Sequence, residues 1–316
     1  MFFNFFIFII SFLLLFFSSK WIINSLLRIA KFLAWKEFIV GFLFFAFFAS
    51  LPNFFVGIVS AFNRVPELSL GDVIGGNIID LTIIIGIATL ISKAGISAPS
   101  RIVQGSTFYL ILLTLLFSFL IGDGNLSRGD GIILSLLFCF YLSWLFRKKE
   151  RFKKIYEEVE EIKGLSFFFK NLGIFLISIF LILLASQGIV SSAQSLANDL
   201  NFPLWFIGLI VVAWGNALPE LFFSLQCAKK SEDWLILGDL IGSVIISLTL
   251  VLGIVALISP IKIENLQALL VSRVFLLISA FLFFVLLRTG KKLSALEGKF
   301  LIFLYFLYLG FEIILK

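Results

Sequence analysis

Apolar runs of about 18 residues or more, nearly free of charge, alternate with short polar breaks along the chain. They cover roughly residues 3–30, 37–63, 70–92, 102–121, 130–146, 167–197, 204–228, 235–259, 267–287 and 296–315. Each is long enough to cross a bilayer as a helix, whereas a β-barrel would read as short alternating segments. The predicted fold class is all-α integral membrane, with ten transmembrane helices. The one long charged stretch, residues 147–170, mixes Lys and Arg with Glu and follows the fifth run. It reads as a solvated connector and not as a binding patch. The expected organisation is a five-helix unit at 1–146, a linker at 147–166 and a second five-helix unit at 167–316. Residues 1–17 are apolar with no basic residue before them, so they read as a first crossing helix and not as a signal peptide.

The polar positions inside these runs recur. Phe48-Ala49-Ser50-Leu51-Pro52-Asn53, followed by Gly71-Asp72-Val73-Ile74-Gly75-Gly76, has a counterpart 167 residues later. That counterpart is Gly215-Asn216-Ala217-Leu218-Pro219-Glu220, then Gly238-Asp239-Leu240-Ile241-Gly242-Ser243. Residues 41–92 align with 208–259 without a gap. Five crossings per half is an odd number, so the second copy must enter the membrane from the opposite side. The expectation is an inverted-topology repeat, with a midplane site between interrupted helices 2, 3, 7 and 8. Pro52 and Pro219 each remove a backbone donor, and Gly75-Gly76 and Gly242 allow the helix to break.

Composition agrees. The chain is 61% hydrophobic and 14% charged, with a mean hydropathy of +1.14. Its net charge of +6 is what basic cytoplasmic loops produce, so it does not argue for nucleic acid. With the N-terminus outside, 20 of the 25 basic residues fall on the inner side. The positive-inside rule therefore puts both termini outside and the linker in the cytoplasm. Histidine is absent, which excludes His-ligated metals, His proton relays and His-based triads. Cys139 and Cys227 lie in apolar stretches and offer no disulfide framework.

Ionisable groups inside membrane spans are costly and mark functional sites by default. Asp80 and Glu220 stand out, because neither has a Lys or Arg within one helical turn. If ionised, each needs a cation, a partner across helices or a proton. A single Gly or Pro break is explained by helix packing. Two breaks per half, repeated at one offset with acids beside them, point to a site. Freed carbonyls, hydroxyls, amides and carboxylates are the oxygen ligands hard cations prefer. Taken singly, Ser224, Ser247, Thr82 and Thr249 read as packing hydroxyls.

These motifs resemble the alpha-1 and alpha-2 repeats of the sodium/calcium exchanger (cation/calcium antiporter) superfamily, in its prokaryotic form. The best match is Gly215-Asn216-Ala217-Leu218-Pro219-Glu220 with Gly238-Asp239-Leu240-Ile241-Gly242-Ser243. The resemblance implies four principal ion-binding positions, which fall on Asn53, Asp80, Glu220 and Ser247. It further implies ligands at Ser50, Asn216 and Ser243 and backbone carbonyls at Ala46 and Ala213, while Gly76 and Ala217 lack the family hydroxyl. Asn77 completes the candidate set. The family has Glu at both proline-motif positions, and here the first is Asn53. Two carboxylates among the four positions balance one divalent or two monovalent ions. Asp72 and Asp239, where the family has Asn, are assigned to the access vestibule and left out of this count.

The function expected is secondary cation antiport, sodium for calcium, by alternating access, with Asp80 and Glu220 coordinating. Helices 1 and 6 would slide across a fixed core of helices 2, 3, 7 and 8. The cargo is calcium and sodium, with protons as an alternative counter-ion and no cofactor. The partners expected are inorganic cations and the lipid bilayer, not nucleic acid. Another divalent-cation exchanger and a non-transporting protein of the same fold are the alternatives. An intramembrane enzyme is disfavoured, because no Gly-x-Gly-Asp protease motif and no His-Glu metal pattern occurs.

Overall fold

A computed structural model describes residues 2–32, 47, 50–92, 94–147, 165–263 and 266–314. The predicted linker and the first part of the second predicted span, which includes Ala46, lie outside the described residues. The helices are α1 (Phe2–Phe32), α2 (Leu51–Phe62), α3 (Pro66–Ile91), α4 (Arg101–Leu120) and α5 (Arg128–Arg147). In the second half they are α6 (Leu165–Leu200), α7 (Leu204–Lys230), α8 (Asp233–Ile258), α9 (Leu266–Thr289) and α10 (Ala295–Ile314). Eight of these are long and apolar enough to cross a membrane. The exceptions are α2, whose described part is 12 residues, and α10, which carries Glu297, Lys299 and Glu312. Their outer faces expose large apolar side chains such as Phe119, Phe140, Phe180 and Phe303, as lipid contact requires.

Two short ribbons tie the halves together. β1 (Ile96–Ser97) pairs antiparallel with β4 (Lys292–Leu293), and β2 (Asn125–Leu126) with β3 (Ile261–Lys262). Helix α4 leaves β1 and ends before β2, while α9 leaves β3 and ends before β4. These helices occupy corresponding positions in the two halves, yet they run between the same two ribbons in opposite directions.

The hairpins α2–α3 and α7–α8 share one turn. Arg64 and Ser231, again 167 residues apart, both adopt left-handed backbone, with φ of 60° and 57°. In each, the two residues around the turn donate their N–H groups back to the last helical turn, which satisfies carbonyls the helix end leaves open.

Lipid tails are as apolar as leucine, so burial alone does not drive these helices together and close packing must. Glycine supplies it where α3 crosses α7. A Cβ on Gly71 or Gly75 would run into backbone of Trp205 or Leu209, and one on Gly208 into the Leu68 carbonyl. The glycines therefore serve close approach, and α3 stays helical through Gly75 and Gly76. The predicted breaks there are not seen. The interruptions are instead single widened π-turns at Asp80–Ile84 in α3, Gly208–Val212 in α7 and Ser247–Val251 in α8.

The packing has two layers. The main core joins α3, α4, α5 and α7–α10, with Ala61 of α2. Helices α1 and α6 lie against each other along their length and share a second cluster, in which Phe8, Leu15 and Ile22 pack with Ile182, Ala185 and Ile189, over Val56 and Val59 of α2, Leu68 of α3 and Ile207 and Val212 of α7.

Candidate functional site

Two of the three π-turns begin at Asp80 and Ser247, which are two of the four principal positions that the family resemblance implies. A π-turn inserts one residue into a helix and often marks a functional site. In each copy the threonine two residues on, Thr82 or Thr249, donates its hydroxyl to the carbonyl four residues back, Ile78 or Ile245. Those two hydroxyls serve the helix, as expected of them. The other two principal positions each follow a proline. Pro219 sits inside α7, where its missing N–H frees the Gly215 carbonyl one turn back. Pro52 falls in the first turn of the described α2, where no donor is lost.

The predicted polar groups are enclosed together between α2, α3, α7 and α8. Ser50, Asn53, Asn77, Asp80, Asn216, Glu220, Ser243 and Ser247 are each at most 7% exposed. Ser247 Oγ donates to Asn77 Oδ1 at 2.7 Å, linking the two π-turn regions. Ser243 Oγ lies 3.5 Å from Ser50 Oγ and also hydrogen-bonds the Asp80 carboxylate. Asn53 Oδ1, Asn77 Nδ2, Asn216 Oδ1 and Glu220 Oε2 are buried and have no hydrogen-bond partner among the described residues. Ala213, whose carbonyl is a candidate ligand, follows the α7 π-turn directly and is fully buried. Ala46 cannot be placed, because it lies outside the described residues.

Asp72 and Asp239 depart from the expectation. Neither lines an open vestibule: they are 0% and 2% exposed. Asn216 donates its amide to both oxygens of Asp72, at 3.0 and 2.9 Å. Asp239 has no such partner on either oxygen among the described residues. The position matching Asn216 in the first repeat is Ala49, which has no polar side chain to offer. The Asp72–Asn216 clamp was not found from sequence, although Asp72 and Asp239 as a repeated acid in apolar runs were its visible half.

Electrostatics gather around Asp80. Its charge acts on Asp72, Glu220 and Asp239, and Glu220 also feels Asp239 and Asp72. Among the described residues no Lys or Arg stands beside any of the four. Uncompensated buried carboxylates of this kind need a cation or a proton. They do not converge on one point: among the described residues no three acidic or thiol groups could share one metal ion. Any ion held here would draw mainly on amide, hydroxyl and carbonyl oxygens around one or two carboxylates, which suits hard cations. There is also room beside Asp80, since a Cβ on Gly76 would meet nothing within 4 Å.

Comparison with known proteins gives a consistent answer. The sodium/calcium exchanger protein family matches residues 3–147 and again 170–314. The chain is 28% identical over 260 residues to the uncharacterized membrane protein MJ0091 of Methanocaldococcus jannaschii, covering 82% of this chain and 83% of that one. It is 24% identical to the sodium/calcium exchanger MaX1 of Methanosarcina acetivorans, with 97% of both chains covered. A structure of the sodium-calcium exchanger NCX_Mj soaked with 10 mM Na+ and zero Ca2+ superposes with a TM-score of 0.66 at 26% identity, covering 97% of this chain and 98% of that one.

Proposed function

The chain belongs to the sodium/calcium exchanger protein family, a family of transporters and not of enzymes, and from that premise we propose that it exchanges sodium for calcium across the cell membrane by alternating access. Asp80 and Glu220 are the charged ligands of the central site. Asn53, Asn77, Asn216, Ser50, Ser243 and Ser247, with the carbonyls of Ala213 and Ala46, supply neutral oxygens. The observation that carries this reading is the enclosure of these carboxylates, one from each repeat, beside amide oxygens that have no partner, and with no basic group, among the described residues.

The architecture is ten transmembrane helices in two inverted repeats, 1–146 and 167–316, joined by a cytoplasmic linker at 147–166, with both termini outside. The opposite directions of α4 and α9 between shared ribbons support the inversion. The basic residues support the orientation, 20 of 25 falling inside. The long mutual packing of α1 and α6, which meets the core through a cluster of its own, supports their movement as a pair.

Charge explains why exchange is coupled. With no ion bound, Asp80 and Glu220 repel one another in a buried setting, which raises the barrier to crossing empty. One calcium or two sodium ions balance the pair, so either load permits the transition.

The test is calcium uptake into proteoliposomes, driven by an imposed sodium gradient. Asp80→Asn and Glu220→Gln should each lower the flux by about a hundredfold. Wild-type flux in either variant would sink the site assignment.

A further inference from the structure

The central site makes no use of Asp239, whose buried carboxylate has both oxygens unpartnered among the described residues. A buried charge left so is costly unless a cation or a proton neutralises it. The α7–α8 hairpin turns at Ser231 and Glu232. Counting back equally from that turn along the two antiparallel helices sets Glu220 level with Ser243, and Ser224 level with Asp239. The electrostatics agree with this register. Asp239 acts on both Glu220 and Cys227, the α7 residues on either side of Ser224 along the same helix face. Ser224 is fully buried, and its Oγ has no partner among the described residues. Glu220 Oε2 is in the same condition.

The first repeat cannot build this arrangement. The positions matching Ser224, Asp239 and Glu220 are Gly57, Asp72 and Asn53. Gly57 has no hydroxyl, Asn53 has no charge, and Asp72 is already held by Asn216.

We propose that Asp239, Ser224 and Glu220 Oε2 form a second cation site, one helical turn from the central site toward the α7–α8 turn, which takes a small monovalent cation such as sodium. A single dedicated carboxylate balances one positive charge, and the three donors are hard oxygens. The inference rests on the antiport reading only through Glu220, which the two sites share.

Sodium binding to the purified full-length protein, counted with radiolabelled sodium, tests it alongside calcium binding measured in sodium-free buffer. Asp239→Asn should bind one sodium ion fewer than wild type and raise the half-saturating sodium concentration about tenfold, while calcium affinity changes by less than about threefold. Ser224→Ala removes only a hydroxyl. It should shift sodium affinity in the same direction by a smaller factor, and it carries the test if Asp239→Asn does not fold. Wild-type sodium counts and affinity in both variants would overturn the second site. So would an equal loss of sodium and calcium in Asp239→Asn, because Asp239 would then belong to the central site. Failure of the antiport reading looks different: Asp80→Asn and Glu220→Gln would keep calcium exchange whatever Asp239→Asn does to sodium.

Discussion

The α2–α3 hairpin turns at Arg64 and the α7–α8 hairpin at Ser231, with nearly the same left-handed backbone. Their second helices widen into π-turns at Asp80 and Ser247, the same offset apart. Side by side, the turns and second helices of the two copies share their backbone and have parted in their chemistry. Where one has Asn53, Gly57, Gly76 and Asp80, the other has Glu220, Ser224, Ser243 and Ser247. Asp72 and Asp239 are identical residues at matching positions, yet among the described residues one is clamped by an amide and the other has none. The clamp on Asp72 comes from the opposite repeat, through Asn216, whose counterpart in sequence is Ala49. A duplicated fold can therefore hold its geometry while each copy takes on separate polar duties. Backbone hydrogen bonds are common to both copies, but side-chain partners are supplied crosswise.

The comparison breaks most readily at the glycines. Gly71→Ala would press a methyl group into the Trp205 carbonyl and should destabilise the protein by about 2 kcal/mol or more, read as a lower melting temperature in detergent. Gly76→Ala meets open space and should be neutral or slightly stabilising, because alanine favours helix by about 1 kcal/mol over glycine. Equal destabilisation by both would mean that the glycines do not divide between packing and site.

A more specific probe restores chemical symmetry. Asn53→Glu places a carboxylate opposite Glu220, as the family pattern has it. Calcium affinity by titration calorimetry should rise about tenfold, since a hard divalent cation gains a charged oxygen. Unchanged affinity would place Asn53 outside the ion's reach.

The smallest effects check the shared backbone. A non-glycine residue in left-handed conformation costs about 1–2 kcal/mol. Arg64→Gly and Ser231→Gly should each recover a part of this, about 0.5–1 kcal/mol, by equal amounts in thermal unfolding. Clearly unequal gains would show that one turn is held by its side chain and not by its backbone.

Part of the candidate site was legible along the chain. Asp80 and Glu220 stood out because they interrupt apolar runs with no basic neighbour, and the amides and hydroxyls around them were implied by the family resemblance. Other features were not legible. Asp72 and Asn216 are 144 residues apart and occupy positions that do not correspond in the two repeats, so no offset reveals their pairing. Gly75 and Gly76 suggested helix breaks, because glycine's freedom reads the same in sequence whether it bends a helix or admits another one. Gly75 admits α7, whereas Gly76 opens onto space beside the site.

The sequence by itself determined which stretches are apolar enough to cross a membrane, that their motifs recur, and which charges lie within them. These follow from transfer energies that add up locally, residue by residue, along each run. Only the tertiary structure decided which enclosed groups are satisfied and which still need a partner. Asp72 and Asp239 have equivalent surroundings along the chain, and they differ only through helices that arrive from the other half of the protein.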